Sequence, residues 1–447
     1  MTKQKLGLAS IVLLGFNSII GSGIFLLPSS LYQLAGDWSV ALILITAIIV
    51  ATIAFCFAEA SGYFSQNGAA YVYTKEAFGS FAGFEVGFLK WMMQCIAWGV
   101  MAVALTNILA NTFGFEENQM LRNGIIVGIV GSLTLLNLAG VGAAKVVNNI
   151  STLAKMVPLV VLIVGGIWFI NPENIIPTFS AAESTAEPAQ YSLTFETLGS
   201  ALILCFYAFT GFETFGTAAE DMENPKRNLP LAIIIVILAV TVFYAAVMAV
   251  SVGILGPDIA NSSVPLADAA KVAFGDFGFY MITIGSIISI AGINVAASFH
   301  IPRALLPLAD DKMIPAIFGS KNEKGIPTVA ILASGLVTIP IALSGSFTTL
   351  AMLSVVTRFA QYIPTCIATL KFRKRFENDE STKNNFKVPF GPIVPVTGVC
   401  ICVWLLADQS LTKILVGLGA MVLISPLYFI ARKRAAEQQA KSTTAKA

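Results

Sequence analysis

The stretch NSIIGSGIFLLP, residues 17–28, puts Gly-Ser-Gly near the middle of an apolar run long enough to cross a bilayer. Glycine inside a helix is less favourable than alanine by about 1 kcal/mol, and unwound backbone in lipid leaves polar groups unsatisfied. A break at this depth therefore calls for a compensating partner. It exposes free C=O groups at the end of the first half-helix and free N–H groups at the start of the second. The N–H groups around Ser22, Gly23 and Ile24, aided by the helix dipole, suit a carboxylate, while the carbonyl near Ile20 suits an ammonium. One Gly-x-Gly also permits close helix packing, so the rest of the chain must decide between the readings.

Of the 447 residues, 56% are hydrophobic and 12% charged, with a mean hydropathy of +0.80. This excludes an ordinary soluble domain and predicts an integral membrane protein. The apolar runs match a hydrocarbon core of about 30 Å at about 1.5 Å rise per residue, so they read as helices and not as barrel strands. Twelve spans are predicted, at about 8–35, 40–63, 82–112, 123–140, 146–170, 193–219, 228–255, 277–308, 327–344, 347–370, 389–407 and 411–431. The leading MTKQKLGLAS has no small-residue cleavage site and is expected to be retained. Six cysteines fall within these spans and read as small core residues, not as disulfides or metal ligands.

With the N-terminus in the cytoplasm, Lys75, Lys145, Lys226, Arg227, Lys312, Lys321, Lys324, the cluster 371–375 and the cluster 432–434 all lie inside. The opposite loops then hold only Arg122, Lys271 and Lys413. This positive-inside bias predicts an even number of spans with both termini cytoplasmic, in the cell membrane. The outer loop 171–192 carries three glutamates and no lysine or arginine, as that orientation requires.

The sixth span repeats the anomaly of the first: FTGFETFG at 209–216 interrupts another long apolar helix. Matched breaks five spans apart predict two inverted repeats, about 8–170 and 193–370, with the substrate site between the broken helices. Carbonyls near Phe209 then join those near Ile20 as acceptors for an ammonium, and the pair of breaks suits a zwitterion. Helices 11 and 12, about 389–431, lie outside the repeat; the polytopic domain is expected to cover 1–434, with a disordered cytoplasmic tail at 435–447.

GSGIFLLP in span 1, FYAFTGFETFGTAAEDMENPKRNLP running from span 6 into its loop, and the place of Lys155 in span 5 resemble the amino acid-polyamine-organocation superfamily of permeases. The resemblance extends over essentially the whole chain. It implies a five-plus-five inverted repeat with discontinuous helices 1 and 6, alternating access, and an amino acid or amine as substrate. It also implies that Lys155 stands where sodium-coupled relatives bind a sodium ion, that Tyr207 caps the substrate with help from Phe212, and that Arg303 and Asp310 belong to a cytoplasmic gate. The loop 66–79 resembles the family's cytoplasmic helix between spans 2 and 3, with Glu59 a partner for a basic gate residue.

Ionisable groups within spans are functional candidates because of what they cost. Lys155 is either a coupling residue whose charge state biases the carrier or a lysine snorkelling to the interface. Glu213 reads as a structural link at the break or a proton carrier. Arg358, in the middle of span 10, needs a partner: a pair with Glu213 is one reading, an acidic substrate side chain the other. Gln361 and Tyr362 could join its network. Gln94, between Trp91 and Trp98 in span 3, and Asn294 in span 8 are candidates for the side-chain pocket, though core packing explains the tryptophans equally well. The single histidine, His300, reads as a hydrogen-bonded structural residue.

No metal site, cofactor motif or enzyme signature of the H-E-x-x-H or G-x-S-x-G kind is present in the sequence. The expected function is a sodium-independent secondary transporter of small or neutral L-amino acids, proton-coupled or exchanging. An acidic amino acid permease and an amino acid/amine antiporter are the alternatives. The partners implied are the substrate, protons and the lipid bilayer.

Overall fold

The computed structural model describes residues 5–64, 68–140, 144–174, 193–215 and 222–444, with side chains omitted for 144–153, 416–418, 420 and 434–444. The acidic loop beyond residue 174, residues 216–221 after the second break, and the first residues of the loop 66–79 lie outside these segments. Among the described residues the chain is all helical, with a single isolated bridge between Leu6 and Met222. The helices are α1 Leu8–Ile19, α2 Ser22–Ala35, α3 Ser39–Tyr63, α4 Ala70–Phe78, α5 Ser80–Phe113, α6 Gln119–Ala139, α7 Ala144–Gly166 and α8 Phe195–Phe209. They continue with α9 Pro225–Leu255, α10 Pro265–His300, α11 Leu306–Asp310, α12 Thr328–Leu343, α13 Phe347–Arg375, α14 Ile393–Ala407 and α15 Leu411–Thr444.

Among the described residues, seven helical stretches are long and apolar enough to cross a membrane: Ser22–Tyr63, Ser80–Phe113, Gln119–Ala139, Phe195–Phe215, Pro225–Asn261, Pro265–Asp310 and Phe347–Arg375. Shorter apolar helices, Leu8–Ile19, Ala154–Phe169, Thr328–Leu343 and Ile393–Ala407, accompany them. The distribution of side chains is that of a protein solvated by lipid. Val242 and Leu336 are each 71% exposed on the periphery, while Lys155 and Glu59 are wholly buried. Water would favour the reverse; hydrocarbon around the bundle makes exposed leucine harmless and drives ions inward.

The main packing pairs are α3 with α9, α7 with α10, α5 with α13, and α2 with α8. The last of these sets the two interrupted helices side by side. The first interruption falls where the sequence puts it: α1 ends at Ile19, Ile20 is extended and α2 begins at Ser22. The second follows α8, where Thr210 turns extended and Gly211 takes φ +123° before a short 3-10 turn over 212–215.

The break at Gly275, with φ 66°, divides α10 close to where the eighth span is expected to begin, and a separate segment starting at Pro265 precedes the long membrane portion. α15 runs on as far as Thr444, through positions expected to belong to a tail from 435; the AAEQQAK composition there is rich in good helix formers. Residues 445–447 are outside the described segments. All six cysteines are free thiols, five of them buried.

Candidate functional site

The two breaks are in contact because glycine allows it. A Cβ on Gly211 would collide with the carbonyl oxygen of Ser18, and positive φ adds to the penalty for any other residue. A Cβ on Gly23 would stand 3.2 Å from Cα of Ala208. Across the junction, the hydroxyls of Ser22 and Tyr207 share a hydrogen bond of 3.0 Å.

The two ends of the first break are treated differently. At the end of α1, the carbonyls of Ile20 and Asn17 accept from Lys155 Nζ at 2.6 and 3.0 Å, and that of Ile19 accepts from Tyr244 Oη at 3.1 Å. The carbonyl of Ile20 assigned from sequence to a substrate ammonium thus already receives the lysine of α7. At the start of α2, by contrast, Gly21 supplies no capping side chain. The N–H groups of the first turn thus have no N-cap side chain as acceptor.

Gly21 and Gly23 form part of the wall of a cavity of about 370 Å³ bounded by α1, α5, α8, α10 and Arg358 of α13. The cavity extends past Ile11, Met222 and His300, on the side of the molecule where Leu6 meets Met222. A second hollow of about 240 Å³, lined by Asn107, Arg122, Ser262 and Phe347 among others, lies toward the other side. Tyr207 on the wall of the first and Phe347 on the wall of the second meet edge to face, with centroids 5.9 Å apart. This aromatic contact lies between the two spaces.

Of the residues singled out from sequence, Gly23, Tyr207, Gln94, Glu213 and Arg358 stand on the cavity wall. Ile20, Ser22 and Ile24 are buried immediately behind it. Phe209 packs against Tyr244, and Phe212 stacks on Tyr362 at 5.5 Å, so both support the wall. Asn294 is turned away: its amide donates to the carbonyls of Met101 and Ile290. His300 does both jobs, bonding the Ala296 carbonyl at 2.8 Å while lining the cavity. Met93, Thr210 and Ile293 are among the wall residues not foreseen from sequence. Thr210 carried a signal, its place beside the glycine of the second break.

Glu213 and Arg358 form a buried ion pair, Nε to Oε1 at 2.8 Å. The other carboxylate oxygen accepts from the Gly211 N–H at 2.9 Å, and the guanidinium also donates to the carbonyl and hydroxyl of Ser354. The pair therefore pins the α8 break to α13, as one of the two sequence readings required.

Further ion pairs tie the helices together at the end of the molecule where α4 lies. Arg373 makes a bidentate contact with buried Glu59 at 2.7 and 2.6 Å, and the Val388 N–H adds a third donor. Arg375 reaches Glu76 of α4 at 3.2 Å. Of the residues that the resemblance places at a cytoplasmic gate, Arg303 lies over the Phe299 ring at 3.5 Å and donates to that residue's carbonyl. Asp311, next to the expected Asp310, carries the ion pair, with Lys75 at 2.6 Å and a hydrogen bond from Tyr71. Lys90, not singled out from sequence, is buried nearby and donates to the Gly68 carbonyl at 3.3 Å.

Partial burial pushes the Asp311 carboxyl up, but hydrogen bonds from Lys75 and Tyr71 and the Lys75 charge outweigh it and hold the group below its usual range. A depressed carboxylate contributes stability that is complete above its unfolded pKa of about 3.9 and lost as pH falls through the lower folded value. Asp311→Asn is expected to lower stability at neutral pH by less than about 1 kcal/mol, since the pair is partly solvated. Melting curves of the two proteins should converge on acidification; a difference that persists in acid would show that the carboxylate charge is not its origin.

The comparisons with known proteins agree with this architecture. The chain is 35% identical to an uncharacterized transporter of Mycobacterium tuberculosis over 88% of its own length and 85% of the relative's. It is 26% identical to the serine/threonine exchanger of Bacillus subtilis, covering 97% and 98% of the two chains, and 26% identical to the putrescine transporter of Escherichia coli, covering 83% and 84%. The amino acid permease family signature matches residues 6–427. With two contacting helix breaks inside an all-helical membrane protein and a family match from one end to the other, the chain belongs to the amino acid permease family of the amino acid-polyamine-organocation superfamily.

Proposed function

We propose that the protein is a secondary carrier of small neutral L-amino acids in the cell membrane, working by alternating access through twelve spans with a five-plus-five inverted repeat. The observation that carries this reading is the uncapped start of α2 facing a cavity of about 370 Å³ beside the second broken helix. The substrate carboxylate binds the N–H groups around Gly23, and its ammonium lies toward the end of α8. With both termini cytoplasmic, the cavity extends toward the cytoplasm and the Tyr207–Phe347 contact closes the outer side.

Sodium independence is supported by Lys155, whose ammonium takes the carbonyls of Asn17 and Ile20, acceptors suited to a cation. Proton coupling or exchange remains the mode of transport in this reading. Neutral substrates are favoured because the charged groups on the wall, Glu213 and Arg358, engage each other; the serine/threonine exchanger among the relatives has substrates of that kind. An acidic amino acid would need Arg358 freed from Glu213, and a diamine would need Glu213 freed from Arg358.

The test is a thermal-shift screen of the purified protein in detergent against the twenty amino acids, agmatine, putrescine and cadaverine, with hits confirmed by uptake into proteoliposomes. A ligand that binds only the folded state raises its stability by RT ln(1 + [L]/Kd). Stabilisation by alanine-sized neutral amino acids is expected. Selective stabilisation by aspartate, glutamate or a diamine would overturn the substrate class.

A further inference from the structure

Trp98 and Gln94 stand one helical turn apart on α5, both on the cavity wall, 1% and 8% exposed. The indole Nε1–H of Trp98 and the carboxamide Oε1 of Gln94 are buried without a hydrogen-bond partner in the protein. This is unusual for a buried indole. Trp91, two turns earlier on the same helix, donates its Nε1–H to Ser334 Oγ at 2.9 Å.

Several other polar side chains around the cavity are engaged with one another or with the backbone. Tyr207 bonds Ser22, Thr210 bonds the Tyr207 carbonyl, Thr214 bonds the Gly211 carbonyl, and Glu213 holds Arg358. The Trp98 Nε1–H and Gln94 Oε1, neighbours on one helix face of the wall, are a buried donor and a buried acceptor without a protein partner.

We propose that Gln94 and Trp98 are the specificity-determining subsite for the substrate side chain, and that it receives a neutral side chain bearing a hydroxyl, as in serine and threonine. This rests on the reading of the protein as an amino acid carrier. An indole N–H can only donate and a carboxamide oxygen can only accept, whereas a hydroxyl does both from one atom. An aliphatic side chain would leave both protein groups unsatisfied in a closed site. A carboxylate would satisfy Trp98 but place a second anion in the cavity that Glu213 already lines, where Arg358 is committed to Glu213.

Threonine and valine have nearly the same shape and differ by a hydroxyl for a methyl, so their ratio reads this subsite alone. The wild-type protein in proteoliposomes should bind L-threonine at least about tenfold more tightly than L-valine, because a site built to bond a hydroxyl discriminates against the analogue lacking it. Gln94→Met and Trp98→Phe, which preserve bulk, should each bring the ratio close to one. A cooperative thermal melt in detergent, read without substrate, shows that the variants are folded.

A threonine to valine ratio near one in the wild type, or unchanged in both variants, overturns the subsite while leaving an amino acid carrier intact. Tighter binding of aspartate than of threonine overturns it in favour of an anionic side chain. Failure of every L-amino acid to bind overturns the carrier reading and the subsite together.

Discussion

Replacing Arg358 with alanine is expected to lower the stability of the folded protein by about 3–5 kcal/mol, the usual penalty for leaving a buried charge without its partner. Glu213 is 1% exposed and would retain only the Gly211 N–H as a described donor. Substrate binding should fall with it, because the carboxylate fixes Gly211 in the turn that lies against Ser18. The double variant Glu213→Gln, Arg358→Met should recover most of the lost stability, since a neutral pair of similar volume avoids the desolvation of both ions. Thermal unfolding in detergent reads the difference. If the single variant melts with the wild type, or the double variant is no better than the single, the ion pair is not what secures the second break.

That pair was one of two readings open from sequence, and the reason it could not be decided there applies across the site. A glycine break in an apolar run is a local property: the cost of Gly21 to Gly23 within a span is legible from the apolar residues on either side, and the matching break at Thr210 and Gly211 repeats it. Buried charge is legible for the same reason, because Lys155, Glu213 and Arg358 each violate the apolar pattern around them. Which group each of them meets is a tertiary fact. The Ile20 carbonyl looked available to a ligand because its partner, Lys155, is 135 residues away.

The wall of the cavity was less legible still. Met93 and Ile293 have the side chains of ordinary core residues, and only the gap beside them makes them wall. Asn294 looked like a pocket residue by type, yet the carbonyl of Met101, one of the contacts between α10 and α5, turns it away. At the end near α4, the acidic pair Asp310 and Asp311 is adjacent in sequence, and the turn after α11 decides which of them reaches Lys75. The segment from Pro265 to the break at Gly275, φ 66°, is the part of α10 that hydropathy alone does not register.

Lys155→Ala is expected to abolish the pH dependence of net uptake and reduce its rate by at least about tenfold, with substrate affinity less affected. Lys155 Nζ bridges the carbonyls of Asn17 and Ile20 from α7, so it links the first break to a helix packed against α10. Removing it leaves two buried acceptors unmet, each worth about 1–3 kcal/mol where water cannot replace the donor. In the proposed carrier, which passes between two arrangements of that break, this removes the group proposed to distinguish them. The start of α2, the proposed seat of the substrate carboxylate, is untouched, and binding is therefore expected to suffer less. Lys155→Arg separates charge from proton release, because a guanidinium stays charged at every accessible pH. If a fixed cation suffices, arginine should restore transport without its pH dependence; if the proton must leave, arginine should be as inactive as alanine. Uptake into proteoliposomes as a function of pH, alongside affinity from thermal shifts, measures both quantities. A Lys155→Ala protein that keeps the wild-type pH profile would remove this lysine from the coupling step and leave it a structural clasp on the first break.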